Sequence, residues 1–179
     1  MQLPSFLPLM LLPILAAACG PSAQDRADSA IAAAAAERAE DEAVKARAAV
    51  VDTVFAPSLG VDLATMTRTA SGMYVRELAA GRGKAADSTS TVLVRYWTRV
   101  PDGTTLDSTA ADMPLRVQLG QNQLLLAWEE GIRGMRAGGR RLIVAPPALG
   151  YGAAGKPGRV PSMSTLVFDI ELLKVIDSP

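Results

Sequence analysis

The sequence predicts a small α+β domain in which a curled antiparallel β-sheet wraps around one short α-helix. A signal peptide and an alanine-rich helical spacer precede this domain in the prediction. Two observations indicate the fold. Apolar residues alternate with period two in several segments after Thr65, and only the segment 123–135 between them changes to helical spacing. Several strands and one short helix bury their apolar faces best in this layered arrangement.

The composition excludes several classes of function. The 179 residues include 18 basic and 18 acidic side chains, so no nucleic acid or other polyanion is expected as a partner. Histidine is absent, which excludes a Ser–His–Asp triad, a Cys–His catalytic pair and the usual zinc-binding sites. We therefore expect neither a metal nor a cofactor. Cys19 is the only cysteine, so an internal disulfide is excluded as well.

The first 18 residues have the character of a signal peptide. The apolar run 3–18 is interrupted by prolines, ends in small residues and is too short to span a bilayer comfortably. The segment 15–20 resembles a bacterial lipoprotein box, which implies lipidation of Cys19; an ordinary cleaved signal is the alternative. Gly20, rather than aspartate, follows Cys19, and by resemblance to other lipoproteins this favours the outer over the inner membrane. We expect a lipid-anchored protein of the cell envelope that faces the periplasm.

The segment 19–64 is interpreted as the lipid-anchor site and a helical spacer. Alanine is rich between residues 24 and 54, and Asp41 and Lys45 form a favourable i,i+4 pair. One thin apolar stripe follows helical spacing: Val44, Ala48, Val51 and Phe55. A solvated tether is the favoured interpretation and a dimerisation helix the alternative. Because leucine-rich a and d positions are missing, we expect a monomer rather than a spacer-mediated dimer. Pro57 and Gly60 end the helix.

The domain is predicted to occupy residues 65–179. Its first clear strand places on one face Val92, Val94, Tyr96, Thr98 and Val100. A turn follows at 101–103, and alternation resumes over 115–119. After the helical segment come a strand at 140–145 and a loop rich in glycine and proline at 148–163. In the last strand we expect Asp169 and Glu171 to face outward and the following residues inward: Leu166, Phe168, Ile170 and Leu172.

Four stretches of the domain resemble the FK506-binding (FKBP) type of peptidyl-prolyl cis-trans isomerase. Val94-Arg95-Tyr96 with Leu106-Asp107-Ser108 is similar to the first family signature, and the run 128–140, from Trp128 to Arg140, is similar to the second. Tyr151-Gly152-Ala153 with Pro157-Gly158 resembles the long family loop. The segment 165–172 is similar to the last strand almost letter for letter. The stretches occur in family order and at family spacing between about residues 67 and 176.

The resemblance implies a pocket for a proline-containing peptide. Its catalytic residues would be Tyr96, Asp107, Trp128, Tyr151 and Phe168. Its substrate-binding residues would be Leu106, Leu115, Val117, Leu124, Leu125 and Val160. The resemblance further implies that Asp107 accepts a hydrogen bond from Tyr96, and that the Tyr151 hydroxyl and the Leu125 backbone N–H hold carbonyls beside the proline. Leu106, Leu115 and Val117 replace phenylalanines, and Arg159 replaces an apolar residue, which predicts weaker binding of bulky macrolides such as FK506.

Isomerisation of an X-Pro bond is consistent with this composition, because no bond is made or cut and no nucleophile or metal is required. The expected function is a peptidyl-prolyl cis-trans isomerase that assists the folding of exported proteins. Proline-containing unfolded or exported polypeptides would be its partners. Two alternatives remain open: a peptide-binding chaperone of the same fold with little turnover, and an anchored structural lipoprotein that uses the domain only as a protein contact.

Overall fold

The computed structural model describes residues 22–51 and 53–176, which fall into two units, Met1–Arg38 and Ala39–Pro179. The predicted signal peptide and Cys19 lie outside the described residues. Helix α1 spans Ala23–Val51. Ser22 and Asp25 form a reciprocal cap at its start: the Asp25 N–H donates to the Ser22 hydroxyl (3.1 Å), and the Ser22 N–H donates to the Asp25 carboxylate (2.9 Å).

The described side chains of the first unit, residues 22–38, are all exposed. Ile31 among them is 68% exposed. This exposure agrees with the prediction of a solvated helix. The side chains of Val44, Ala48 and Val51, which would form most of the predicted stripe, lie outside the described ones. No helix within the described residues is long and apolar enough to cross a membrane.

The second unit contains a seven-stranded sheet in which every neighbouring pair is antiparallel. Its strands are β1 (Thr67–Arg68), β2 (Tyr74–Ala79), β3 (Thr91–Arg99), β4 (Thr105–Ser108), β5 (Leu115–Gln118), β6 (Gly139–Ala145) and β7 (Leu166–Ile176). The order is β1-β2-β6-β7-β3-β4. Strand β7 pairs with the whole length of β3 along one edge. Strands β4 and β5 therefore follow one another along the other edge of β3.

The inner face of the sheet packs on helix α2 (Leu126–Ile132), as the predicted α+β fold requires. The alternation predicted for β3 is confirmed, since Val92, Val94, Tyr96 and Thr98 are all buried. At Gly131 the helix lies directly on β6: a Cβ atom there would stand 2.3 Å from the Ile143 Cδ1 atom. A larger residue there would force the Ile143 side chain to move, so glycine allows this close approach of the helix to the sheet.

A second, smaller core lies on the outer face of the sheet. Leu142, Val144 and Val167 point away from α2 and are covered by residues that precede β1. The covering residues are Val50, Phe55, Leu59, Val61, Leu63 and Met66. Short 3-10 helices at Pro57–Leu59 and Leu63–Thr65 shape this cover. The outer face is apolar at this end, so it needs a layer to exclude water.

Two sequence predictions need correction, and a third is refined. Val50, Phe55, Leu59, Val61 and Leu63, all assigned to the spacer, pack on the sheet, so the domain begins before residue 65. The helix predicted over 123–135 is limited to Leu126–Ile132, because Leu125 is extended and Gly134 has a positive φ of 78°. Asp169 lies on the outer face as expected, but it is buried because the Arg140 guanidinium covers it with two hydrogen bonds of 2.7 and 2.6 Å.

Candidate active site

A cavity of about 200 Å³ opens on the inner face of the sheet beside α2. Strands β3, β4, β5 and β7, the start of α2 and the loop after β6 all contribute to it. It is lined by Tyr96, Thr98, Leu106, Asp107, Leu115, Gln123, Leu124, Leu125, Trp128, Tyr151, Lys156, Arg159, Val160 and Phe168. Every predicted site residue of the domain except Val117 is therefore brought together in one place.

Strand register explains how distant parts of the sequence meet in this cavity. Thr98 of β3 pairs with Phe168 of β7 on one side and with Asp107 of β4 on the other. Directly opposed residues of antiparallel strands present their side chains on the same face. The three side chains therefore form one row across the inner face, and Tyr96 lies two residues along the same face of β3.

Trp128 forms the floor of the cavity from the first turns of α2. It is only 6% exposed, and its ring meets Tyr96 edge to face, with centroids 4.8 Å apart and planes at 79°. On its other side it meets Phe168 at 6.3 Å and 88°. Edge-to-face pairs of this kind are the favoured aromatic geometry. The three rings therefore support one another and give the cavity a rigid apolar base.

Tyr96 and Asp107 are joined at the rim. The Tyr96 hydroxyl donates to the Asp107 carboxylate at 2.8 Å, as the resemblance implied, and the Ser108 backbone N–H donates to the other carboxylate oxygen at 3.0 Å. Burial, and then the hydrogen bond and negative charge of Asp107, raise the pKa of Tyr96 to about 12. Tyr96 is therefore a neutral donor at physiological pH, and its hydroxyl is engaged within the protein.

Two leucines form part of the apolar wall. Leu106 lies on β4, and Leu115 lies on β5 with 38% of its surface exposed. Val117 is two residues further along β5, opposite Val92, and packs against the main core instead of lining the cavity. Val117 shares a face with Leu115, but the strand has by then passed the cavity, so Val117 does not line it and its role in substrate binding stays a prediction.

Two polar groups of the wall carry no internal hydrogen bond. The Tyr151 hydroxyl and the Leu125 backbone N–H have no partner within the described part of the chain. Leu125 directly precedes α2, where its own carbonyl accepts bonds from Trp128 and Glu129 at 2.9 and 3.2 Å. Both groups are donors, so a peptide carbonyl entering the cavity would find two unused partners.

Three lining residues were missed from the sequence: Thr98, Gln123 and Lys156. Thr98 could have been found, since it shares the alternating face with Tyr96. Lys156 lies in the glycine- and proline-rich loop, where no periodicity shows which side chains turn toward the cavity. Arg159, identified as a departure from the family pattern, lines the cavity too.

The chemistry available here is that of an apolar peptide-binding cleft with a few hydrogen-bond donors. Among the described residues, no group of three or more acidic, histidine or cysteine side chains is placed to hold a metal ion. The apolar floor and walls can exclude water from a bound segment, while Tyr151 and Leu125 can orient its carbonyls. The fold and this cleft define a class of small peptide-binding domain in which a sheet encloses one helix.

The family model for FKBP-type peptidyl-prolyl cis-trans isomerases matches residues 83–173. An FK506-binding protein of Neisseria meningitidis serogroup B is 38% identical over 107 residues, which are 59% of this chain and 98% of that protein. The chain therefore belongs to the FKBP-type peptidyl-prolyl cis-trans isomerase family.

The chain spans less than a third of the length of two further relatives that it matches. The peptidyl-prolyl cis-trans isomerase FKBP53 of Arabidopsis thaliana is 39% identical over 108 residues, which are 59% of this chain and 23% of its own length. The chain spans 29% of the FK506-binding protein 4 of Mycosarcoma maydis. Among solved structures, a peptidyl-prolyl cis-trans isomerase of Pseudomonas syringae is similar with a TM-score of 0.58 and 29% identity, covering 63% of this chain and 82% of that one.

Proposed function

We propose that this protein catalyses cis-trans isomerisation of X-Pro bonds in exported polypeptides while a lipid on Cys19 holds it in the cell envelope. The observation that carries the catalytic part is the cavity itself. Five residues that match the family pocket converge there from three strands, a helix and a loop: Tyr96, Asp107, Trp128, Tyr151 and Phe168. Membership of the family supports an isomerase, and proline-containing polypeptides are the substrates that the family name implies.

The reaction needs an environment more than it needs a reactive group. Resonance gives the peptide C–N bond a rotational barrier of roughly 18–20 kcal/mol. In the twisted transition state the amide loses conjugation and its carbonyl becomes less polar. A dry cavity therefore favours the twisted amide over the planar one, which water stabilises better. A barrier lower by about 5 kcal/mol would accelerate the exchange several thousandfold.

Each group has a role in this scheme. Trp128 and Phe168 exclude water and contact the proline ring, with Leu106 and Leu115 closing the apolar wall. The Tyr151 hydroxyl and the Leu125 N–H donate to the carbonyls that flank the proline. Only donors without an internal partner can hold a substrate without first breaking a protein hydrogen bond.

Tyr96 and Asp107 have a different role, because their hydroxyl and carboxylate are already bonded to each other. The pair holds the Tyr96 ring edge-on against Trp128 and links β4 to β3 at the rim of the cavity. We propose that it keeps the apolar wall in place as the amide rotates.

The test is the cis-to-trans rate of a short proline peptide, measured with the full chain. A rate of isomerisation that exceeds the uncatalysed rate and rises with the concentration of the protein supports an enzyme. Phe168→Ala should reduce this acceleration strongly, because the Phe168 ring belongs both to the cavity wall and to the core. Absence of any acceleration, together with suppression of aggregation of an unfolded client, would instead establish the peptide-binding chaperone of the same fold.

The cellular part of the proposal depends on the sequence of the leader. We infer an outer-membrane anchor and a domain in the periplasm from three features: the signal peptide 1–18, the lipidation proposed for Cys19, and Gly20 after it. Folding intermediates of exported proteins wait on X-Pro bonds for tens of seconds or more, which gives an isomerase in that compartment a substrate pool. Membrane fractionation of the producing cell, with detection of the intact protein, distinguishes outer membrane, inner membrane and soluble periplasm.

A further inference from the structure

Two cations stand on one tight turn at the rim of the cavity. Lys156 and Arg159 both line the cavity and both are exposed. The Arg159 N–H donates to the Lys156 carbonyl at 2.9 Å across Pro157-Gly158, and Gly158 has a φ of 72°. Proline at the second position and a positive φ at the third define a type II β-turn, whose first and fourth Cα atoms are less than about 7 Å apart.

The turn is held in place by its neighbours. The Lys156 N–H donates to the Val160 carbonyl and the Val160 N–H donates back to the Lys156 carbonyl, both at 2.8 Å. Val160 is 6% exposed and belongs to the main core. Gly155 precedes the turn with a φ of 63°, and a Cβ atom there would stand 2.4 Å from the Val160 carbonyl oxygen. The backbone that carries the two cations is therefore closely fitted to the cavity wall.

Neither Lys156 nor Arg159 has a carboxylate partner within the described part of the chain. The Lys156 ammonium lies 5.7 Å from the ring centroid of Tyr151. Asp107 is the one carboxylate of the described lining, and both of its oxygens already accept hydrogen bonds. One side of an apolar cavity thus carries two available cations.

We propose that this turn makes the site selective for proline segments that carry an aspartate or glutamate beside the proline. The inference rests on the proposed isomerase function and names the substrate class of that same site. A carboxylate next to a proline seated on Trp128 would reach the rim where Lys156 and Arg159 stand, whereas a lysine there would be repelled. Exposed ion pairs are individually weak, so two cations correspond to a preference of roughly three- to tenfold.

The experiment compares peptides that differ only in charge. Isomerisation of otherwise identical proline peptides with Glu, Gln or Lys, placed before or after the proline, is measured with the full chain as kcat/KM. We expect the Glu peptide to exceed the Gln peptide by about three- to tenfold at one of the two positions, and the Lys peptide to fall below both. The Glu-to-Gln ratio should approach one at high salt, because the rim is open to screening.

The test variant carries both Lys156→Gln and Arg159→Gln, and its Glu-to-Gln ratio should fall to about one. A matched control is Arg82→Gln with Lys174→Gln, which removes the same charge from exposed positions outside the cavity and should keep the wild-type ratio. The single variants are measured alongside, so that a folding defect of one protein does not decide the result. Circular dichroism confirms that each variant is folded.

A wild-type Glu-to-Gln ratio of one or less at both positions overturns the proposal while leaving the isomerase function intact. The same holds if the ratio survives removal of both cations. If no peptide is isomerised faster than in buffer, the isomerase function has failed. The charge preference is then decided by calorimetric binding of the Glu and Gln peptides, and equal affinities overturn it.

Discussion

At the scale of single residues, the site is organised around Trp128, whose ring is held between Tyr96 and Phe168. Tyr96 is tied in turn to Asp107, so the rim carboxylate and the aromatic floor are connected through one side chain. Substitutions in this group act through geometry as well as through lost contacts. Their effects should therefore be less than independent when they are combined.

Asp107→Val and Tyr96→Phe should each lower kcat/KM for a proline peptide several-fold, because each removes the hydrogen bond that holds the rim. Asp107 is exposed and Tyr96→Phe keeps the ring, so neither change opens a large cavity. The free energy of unfolding should change by only about 1 kcal/mol. Peptide isomerisation and chemical denaturation measure the two effects separately.

Tyr74→Phe is the control for the tyrosine change, since Tyr74 packs on the outer face of the sheet. It should leave the isomerisation rate unchanged. A rate that survives both Asp107→Val and Tyr96→Phe would refute the role proposed for the rim.

The raised pKa of Tyr96 predicts a late ionisation. The absorbance titration of the wild type minus that of Tyr96→Phe should show one tyrosine with a midpoint near pH 12 instead of the ordinary value of 10.0. Because the folded state holds this proton more tightly than the unfolded state, the contribution to stability is complete below pH 10. It is lost as the pH rises from about 10 to 12.

Asp107→Asn removes the negative charge and should move the Tyr96 midpoint downward, although burial alone keeps it raised. An unchanged midpoint in Asp107→Asn would show that the carboxylate does not contribute to the pKa.

At the scale of elements, the two faces of the sheet are used differently. The inner face holds α2 and the cavity, whereas the outer face is covered by the chain between Val50 and Met66. This cover also contacts the hairpin that carries Asp107: the Ala56 N–H donates to the Pro101 carbonyl at 2.8 Å, at the turn between β3 and β4. The segment before β1 therefore belongs to the folded domain, and a fragment that begins at residue 65 would lack it.

Leu59→Ala tests this layer. Leu59 is 7% exposed in the outer core, so its truncation should lower the free energy of unfolding by about 2–3 kcal/mol. Val54→Ala is the matched control in the same segment, because Val54 is 88% exposed and should cost less than about 0.5 kcal/mol. Urea denaturation of the two variants provides the comparison. Equal midpoints would mean that the cover contributes no stability.

At the scale of the whole molecule, a polar helix precedes an isomerase domain, and we propose a cleaved leader before the helix. The described side chains of residues 22–38 are exposed, and Ile31 is the one large apolar residue among them. Residues 22–38 therefore offer little apolar surface with which to bind a partner. The membrane attachment that we propose rests on the modification of Cys19.

Mass spectrometry of the protein from its native cell should find acyl chains on an N-terminal Cys19, because the only cysteine directly follows an apolar leader that ends in alanines. Cys19→Ser should abolish the modification and release the protein from the membrane fraction. A mature chain that starts elsewhere, or an unmodified cysteine, would contradict the lipid anchor and leave the isomerase domain unaffected.

Much of the fold and most of the site could be predicted from sequence, because both are written in short-range patterns. Period-two alternation identified β3 and β7 and their buried faces, and the helical segment located α2. The family motifs predicted eleven pocket residues, and ten of these line the cavity. Val117 was the exception, since its alternation was correct and only its distance along β5 placed it beyond the cavity.

Tertiary structure was needed wherever two segments without a shared pattern meet. The outer core joins residues 50–66 to Leu142, Val144 and Val167, and nothing in the local sequence of either segment indicates the other. The same holds for Lys156 and Arg159, which a Pro-Gly turn and the closely fitted Gly155 bring to the cavity rim. Local sequence determines the conformation of a strand or a turn through its own sterics and burial. Which surfaces then face one another depends on the packing of the whole chain.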